Sequence, residues 1–444
     1  MSKQVAIVGF GYIGACIGAV LAEKRYQVVG IDNRPQVIEE INRGEISINE
    51  PGLGDLVRES VAAGRLSATE DFAAIQDADV ILVTVGTPLG MDLDPDTTQI
   101  KAAATEVGRH LRPGQLVILK STVPPNTTER VVMPILEEES GLVVGRDFFL
   151  AFCPERLAEG RALHEFQTIP VVVGGVNRRS TEMAVSFWRE ALDVPVLELS
   201  NARTAEMTKL ADNLWIDLSI ALGNELALLS ERLDIDVLEV LQSANSLPKG
   251  KHNVNILLPS MGVGGACLTK DPWFVHHLAN QHGLEMKTPV VSRTVNDSMP
   301  RHTFELIEHG LSAAGKTLEA STVAVLGLSF KNNTGDVRFT PTKGTIELLE
   351  KSGCQLKVCD PWVSPQDAKQ VTDVELTSTI EATIEGADCL AFLAGHDDFH
   401  RISLEEVAEL ANPGCVVVDG RMYFPRSQIE RMNELGLRYR GIGR

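Results

Sequence analysis

The chain has 444 residues, 44% hydrophobic and 23% charged, ordinary globular usage and enough for two or three domains with cores of their own. Acidic residues outnumber basic ones 60 to 41, a formal net charge of −19, which repels polyanions and excludes nucleic acid as an expected partner. Seven cysteines spread from Cys16 to Cys415 lack the spacing of a disulfide framework, so a reducing, cytoplasmic setting with a reactive rather than structural thiol is expected.

Residues 5–22 are largely apolar, but Gly9, Gly11, Gly14 and Gly18 interrupt them, unlike the unbroken apolar region of a signal peptide. No run of about 18 apolar residues predicts a membrane span. Short apolar runs at 5–8, 27–31, 80–85, 116–120 and 148–152 read as buried strands, separated by amphipathic stretches such as 15–23 and 35–42. This alternation predicts right-handed βαβ crossovers and a parallel sheet covered on both faces. Residues 170–174 and 194–199 extend the same layer.

The texture changes near residue 201. Residues 201–232 contain no Pro and the single Gly223, with apolar positions at helical spacing, which predicts one long helix followed by another over 237–243. Gly and Pro then cluster through 248–265 as an irregular loop, and helical patterns return at 272–282 and 300–314. A second α/β unit follows, with strands at 322–326, 356–359, 389–393 and 415–418 and a helix at 343–351. Its layout suggests a distant echo of the first.

Gly9, Gly11 and Gly14 form G-x-G-x-x-G after a strand and at the opening of a helix. The first glycine permits the tight turn, the second lets backbone approach a pyrophosphate, and the third lets helix and strand pack closely. Asp32 ends the next strand, where its carboxylate accepts from an adenosine ribose and repels a 2′-phosphate, so NAD is favoured over NADP. Arg34 beside it can hold either an adenine face or a phosphate. Thr87 in VGTP and Thr122 in STVPP place small hydroxyls at two further strand ends on the same crevice.

Cys267 lies in GVGGACLTKD, where glycines allow close backbone approach and Lys270 and a following helix favour a thiolate nucleophile. The other six cysteines fall in apolar segments. Glu206, Lys209 and Asn213 share one face of the long helix; flanking Met207, Leu210 and Leu214 argue against a merely solvated face. Glu155, in FCPER at a strand end, adds a carboxylate at the mouth of the first sheet.

In order, VAIVGFGYIG, STVPP, CPERLAEG, EMTKLADNLW, GVGGACLTKDPWF and VLGLSFKNNTGDVRFTP resemble the UDP-glucose/GDP-mannose dehydrogenase family. The resemblance implies an α/β fold of two Rossmann-like parallel-sheet domains joined by a central helical region: an NAD-binding domain over 1–200, a dimerisation region carrying the cysteine loop over 201–315, and a UDP-sugar-binding domain over 316–444. It implies a homodimer through the long helix, no metal, and four-electron oxidation of a sugar C6 alcohol with two NAD. Carried over by position, Cys267 is the nucleophile, Lys209 and Asn213 stabilise oxyanions, and Asp271, Thr122 and Glu155 handle water and protons. Tyr12, Ile13, Thr87, Thr122 and Lys270 join the glycines, Asp32 and Arg34 at the cofactor. Glu155, Arg156, Lys209, Asn213, Gly264, Lys331 and Arg338 belong with the UDP-sugar.

The segments NLWIDLSIALGNELALL and GVGGACLTKDPWF are closer to the UDP-N-acetylhexosamine (ManNAc or GlcNAc) branches than to UDP-glucose dehydrogenases, which show a FINE-like helix and a GGSCFPKD loop. Ala266, however, stands where the acetamido-sugar branches often carry His, and Thr269-Lys270 resembles the glucose branch. UDP-glucose 6-dehydrogenation and a two-electron β-hydroxyacid-type dehydrogenation are the alternatives; the second leaves residues 320–444 without a task.

Overall fold

A computed structural model describes residues 3–444 in two compact units that divide within the long helix Ala202–Leu233, the first ending at Asp212 and the second running from Asn213 to Arg444. The first unit is built on eight strands: β1 (Gln4–Val8), β2 (Gln27–Ile31), β3 (Leu66–Thr69), β4 (Val80–Val83), β5 (Leu116–Leu119), β6 (Phe149–Phe152), β7 (Val171–Gly175) and β8 (Val196–Glu198). Their order is β3-β2-β1-β4-β5-β6-β7-β8. Every residue of β4, β5 and β6 is buried, as expected of Val/Ile/Leu-rich strands covered on both faces. One apolar cluster joins the sheet to the helices Tyr12–Glu23 and Arg178–Ala191, and another joins it to Thr98–His110. The order reverses between β1 and β4, so ligands belong outside the carboxyl ends of those strands.

One departure from a wholly parallel sheet bears on the site. β7 runs antiparallel to β6, pairing Ala151 with Gly175 and Phe152 with Gly174. The connection between them holds only the short helix Ala162–Phe166 and makes no crossover. It therefore stays at the carboxyl edge of the sheet, keeping residues 153–161 there.

In the second unit the predicted irregular loop contains a small hairpin, β9 (Pro248–Lys249) with β10 (His252–Asn253). The helix expected over 300–314 starts much earlier, at Thr288, and runs to Ala313 with Pro300 inside it. Pro289 sits in its first turn, where a missing N–H costs nothing. The Pro300 ring packs against Gly344, and its carbonyl accepts from Thr345 Oγ1 at 3.1 Å. A five-stranded parallel sheet follows, with β11 (Thr322–Leu326), β12 (Gln355–Cys359), β13 (Cys389–Phe392), β14 (Val416–Asp419) and β15 (Arg438–Gly441) in the order β12-β11-β13-β14-β15. Its reversal lies between β11 and β13.

The two α/β ends share one turn. Gly9 N–H donates to the Ile31 carbonyl and Gly327 N–H to that of Cys359, both at 2.8 Å, with φ of +89° and +97°. Phe10 N–H then donates to Asp32 and Leu328 N–H to Asp360, at 2.8 and 2.7 Å. Only the first copy continues with the second and third glycines of the motif. Among the described residues no helix is long and apolar enough to cross a membrane.

Candidate active site

In the first unit each motif glycine has a different reason to be one. Gly9 takes a positive φ that L side chains avoid. A Cβ on Gly14 would lie 2.3 Å from the Gly9 carbonyl oxygen, so helix and turn pack closely only without it. A Cβ on Gly11 would meet nothing nearer than the Arg34 guanidinium, 3.8 Å away, so this glycine faces open space. That space is a cavity of about 610 Å³ lined by Gly9, Gly11, Asp32, Arg34, Thr84 and Gln99, among others. A dinucleotide with its pyrophosphate against Gly11 fits this cradle.

Asp32 is buried and accepts from Phe10 N–H, Arg34 N–H and both Nε and Nη2 of Arg34, at 2.8–3.0 Å. Burial pushes its carboxyl up, but Arg34 and Phe10 pull it further down, to a net position below the usual carboxylate range. It stays an acceptor, with Arg34 folded over it. Thr87 Oγ1 donates to the Thr122 carbonyl at 2.6 Å, so the two predicted strand-end threonines meet, one bracing the other.

Glu155 leaves β6 with Oε1 accepting from the N–H groups of Arg156 and Leu157 at 2.7 and 2.9 Å. Its Oε2 takes no hydrogen bond among the described residues and lies 3.5 Å from Nζ of Lys120. Lys120 is buried at the end of β5, near Cys153 (carbonyl oxygen at 3.3 Å, Sγ at 3.6 Å) and over the Trp188 ring. Burial pushes its ammonium down, but Cys153 and Glu155 outweigh that and hold it above the ordinary lysine value. The sequence reading passed over Lys120; a charge ending a buried strand beside Ser121 and Thr122 was the available signal. Arg156 pairs with Asp212 at 2.9 Å, within the same unit.

The polar face of the long helix is not solvated: Glu206, Lys209 and Asn213 are all buried. In the second unit Asn213 Nδ2 donates to Asp271 Oδ2 and Lys270 Nζ to Asp271 Oδ1, both at 2.5 Å. Asp271 is fully buried at the first turn of the helix Asp271–Gln281, and its N–H, like that of Lys270, turns back to the Cys267 carbonyl. Of the seven cysteines only Cys267 is exposed. Burial pushes the thiols of Cys16, Cys153, Cys354, Cys359, Cys389 and Cys415 up, Cys415 to about 12. Those six are unsuited to nucleophilic work at neutral pH.

The cysteine loop packs against the segment carrying Lys331 and Arg338. A Cβ on Gly264 would lie 2.5 Å from Phe330 Cβ and 2.7 Å from the Phe339 carbonyl oxygen, and Gly265 N–H donates to the Arg338 carbonyl. Gly264 is therefore a packing glycine that holds Cys267 beside this segment. Arg338 is held by Asp336 at 2.9–3.0 Å from Nε. A cation that the sequence reading missed is Arg421, just beyond β14. Its guanidinium donates to the carbonyls of Leu393 and Phe330 and has no carboxylate among the described residues, and burial pulls it down to about 10. A half-buried cation beside the loop that follows β11 suits a phosphate.

A nicotinamide-dinucleotide cradle, one exposed thiol in a glycine loop, and a second α/β unit with its own cations define a dinucleotide-linked dehydrogenase with a separate site for a phosphorylated substrate. Sequence models of the UDP-glucose/GDP-mannose dehydrogenase family match the chain over its NAD binding domain (residues 3–192), central domain (203–298) and UDP binding domain (324–426). The chain belongs to this family and is an NAD-dependent oxidoreductase acting on a nucleotide sugar. It is 32% identical over 441 residues to a UDP-N-acetyl-D-mannosamine dehydrogenase of Pyrococcus horikoshii, covering 99% of each chain. The solved structure of UDP-D-ManNAc dehydrogenase from Pyrococcus horikoshii superposes with a TM-score of 0.89 at 32% identity, covering 100% of this chain and 99% of that one. A UDP-glucose dehydrogenase from Pyrobaculum islandicum superposes at 0.88 with 30% identity, covering 100% and 98%.

Proposed function

We propose that the chain oxidises the C6 alcohol of a UDP-N-acetylhexosamine, UDP-N-acetylmannosamine foremost, to the uronic acid through covalent intermediates on Cys267. The observation that carries this reading is the single exposed thiol in a glycine loop whose next turn holds the buried Asp271, bonded to Lys270 and to the buried Asn213 of the long helix. The relatives' names favour the N-acetylmannosamine sugar, and the Pyrobaculum islandicum neighbour keeps UDP-glucose as the second substrate to try.

NAD, when bound against Gly9, Gly11 and Asp32, supplies a hydride acceptor, and two such acceptors account for four electrons. The Cys267 thiolate adds to the C6 aldehyde to form a thiohemiacetal, so the half-oxidised sugar stays attached. After loss of the second hydride the carbon is a thioester. Water then cleaves the C–S bond, releasing carboxylate and thiol. Lys209 and Asn213 stabilise the negative oxygen at each addition. Asp271, Glu155 and Thr122 orient water and pass protons. Arg421, Lys331 and Arg338 hold the diphosphate, with Arg156 and Gly264 at the sugar side.

The same reading makes the protein a cytoplasmic homodimer serving polysaccharide biosynthesis. Trp215, Leu222 and Leu229 are each about half exposed and recur every seven residues on one stripe of the long helix, an apolar strip suited to a second copy. The test of the chemistry is stoichiometric: two NADH per UDP-N-acetylmannosamine are expected, with Cys267→Ser retaining NADH binding but yielding no uronic acid. Unchanged acid production by Cys267→Ser overturns the assignment, and one NADH per sugar favours a two-electron reaction.

A further inference from the structure

Glu50 has no part in the chemistry above, yet it is buried, and among the described residues no Lys or Arg pairs with it. A carboxylate removed from water without a cation persists only where several donors replace its hydration. Three do. Oε1 accepts from Ala162 N–H at 2.8 Å and Oε2 from Gly160 N–H at 2.6 Å. Oε2 also accepts from the Tyr12 hydroxyl, which in turn receives Gly160 N–H at 3.3 Å.

These donors come from two places that the chain keeps far apart in sequence. Tyr12 opens the helix Tyr12–Glu23 inside the dinucleotide turn. Gly160 and Ala162 end the loop that leaves β6 with Glu155 at its start. Resting on the function proposed above, we infer that Glu50 is a positioning residue that couples cofactor binding to substrate binding by tying the Tyr12 hydroxyl to the 155–162 loop. An occupied cradle fixes Tyr12; through Glu50 this fixes Gly160, and the loop carrying Glu155 and Arg156 is then held in one arrangement. Burial, and after it the bond to Glu50, push the Tyr12 phenol far above its ordinary value, so it remains a donor at every physiological pH. Coupling between ligands is reciprocal, so the same link makes the UDP-sugar tighten NADH.

The test is calorimetric titration of the full chain with UDP-N-acetylmannosamine as probe, with and without saturating NADH, which cannot accept a hydride and so leaves the sugar unreacted. In the unaltered protein NADH should tighten UDP-N-acetylmannosamine by about fivefold or more. Glu50→Gln, which keeps the shape but sets an amide N–H against a donor, and Tyr12→Phe, which removes one hydroxyl, should each bring that factor to within about twofold of one, and the double variant should lower it no further. A merely structural role would lower the unfolding temperature and leave the factor in place. A factor unchanged in Tyr12→Phe, whose fold loses only a hydroxyl, overturns the inference even if Glu50→Gln fails to fold; so does a factor of one in the unaltered protein. Unaltered protein that binds neither NADH nor UDP-N-acetylmannosamine overturns the proposed function and this inference with it.

Discussion

Glu206 lies three residues before Lys209 on the long helix and ties that helix to the segment following Thr122. Its carboxylate is fully buried and accepts from Asn126 N–H, Thr128 N–H and Thr128 Oγ1 at 2.7, 2.8 and 2.6 Å. Burial pushes its pKa from 4.5 up to about 7, against the pull of those three bonds. Between those values the folded chain keeps a proton that the unfolded chain has lost, so this group's contribution is fully present below 4.5 and is lost as pH rises through about 7. At about 1.4 kcal/mol per unit, the gap corresponds to about 3.5 kcal/mol, of which about 2.5 kcal/mol is lost between pH 5 and pH 8. Glu206→Gln has no proton to lose. Its unfolding temperature, followed by scanning calorimetry between about pH 5 and pH 8, should gain on that of the unaltered protein by about 5–10 °C for a unit of this size. Any cost of the amide itself is a constant offset and cancels in the pH dependence. A temperature difference that stays flat across that range refutes the reasoning.

Gly14→Ala sets a Cβ 2.3 Å from a backbone oxygen, which no side-chain rotation relieves; it should weaken NADH at least about tenfold in a fluorescence titration, with an overpacking cost of about 1–3 kcal/mol. Arg421→Met should weaken UDP by about 10–100-fold, the worth of hydrogen bonds to a charged group, while NADH affinity stays as it was; equal UDP affinity would remove Arg421 from the diphosphate site. Leu222→Asp, in the middle of the exposed stripe of the long helix, should shift sedimentation toward the single-chain mass, and an unaltered profile would place the contact between copies elsewhere.

Much of the first unit was legible because its signals are local. The strands read at 27–31 and 322–326 match β2 and β11 residue for residue, since short apolar runs bounded by turns carry their own boundaries. The glycine motif and Asp32 are likewise set by adjacent chain. Errors arose where a local rule was overridden by packing. Pro300 signals a helix start, yet it sits inside a helix because Gly344 leaves room for its ring. The β7 strand was found but not its direction, which is decided by a connection that stays at one edge of the sheet.

By itself the sequence determined the alternation of strands and helices and the dinucleotide turn, and it singled out Cys267 as the candidate among seven thiols, because backbone conformation and hydrophobic period are encoded within a few residues. Only the tertiary structure decided that Asp271 joins Asn213 to Lys270, that Lys120 faces Glu155, that Glu50 binds Tyr12 to Gly160, and that Arg421 has no carboxylate among the described residues. Apart from Lys270, which adjoins Asp271, the partners come from distant stretches of chain. The strength of a buried charge depends on what surrounds it in space, and a linear order of residues does not contain that neighbourhood.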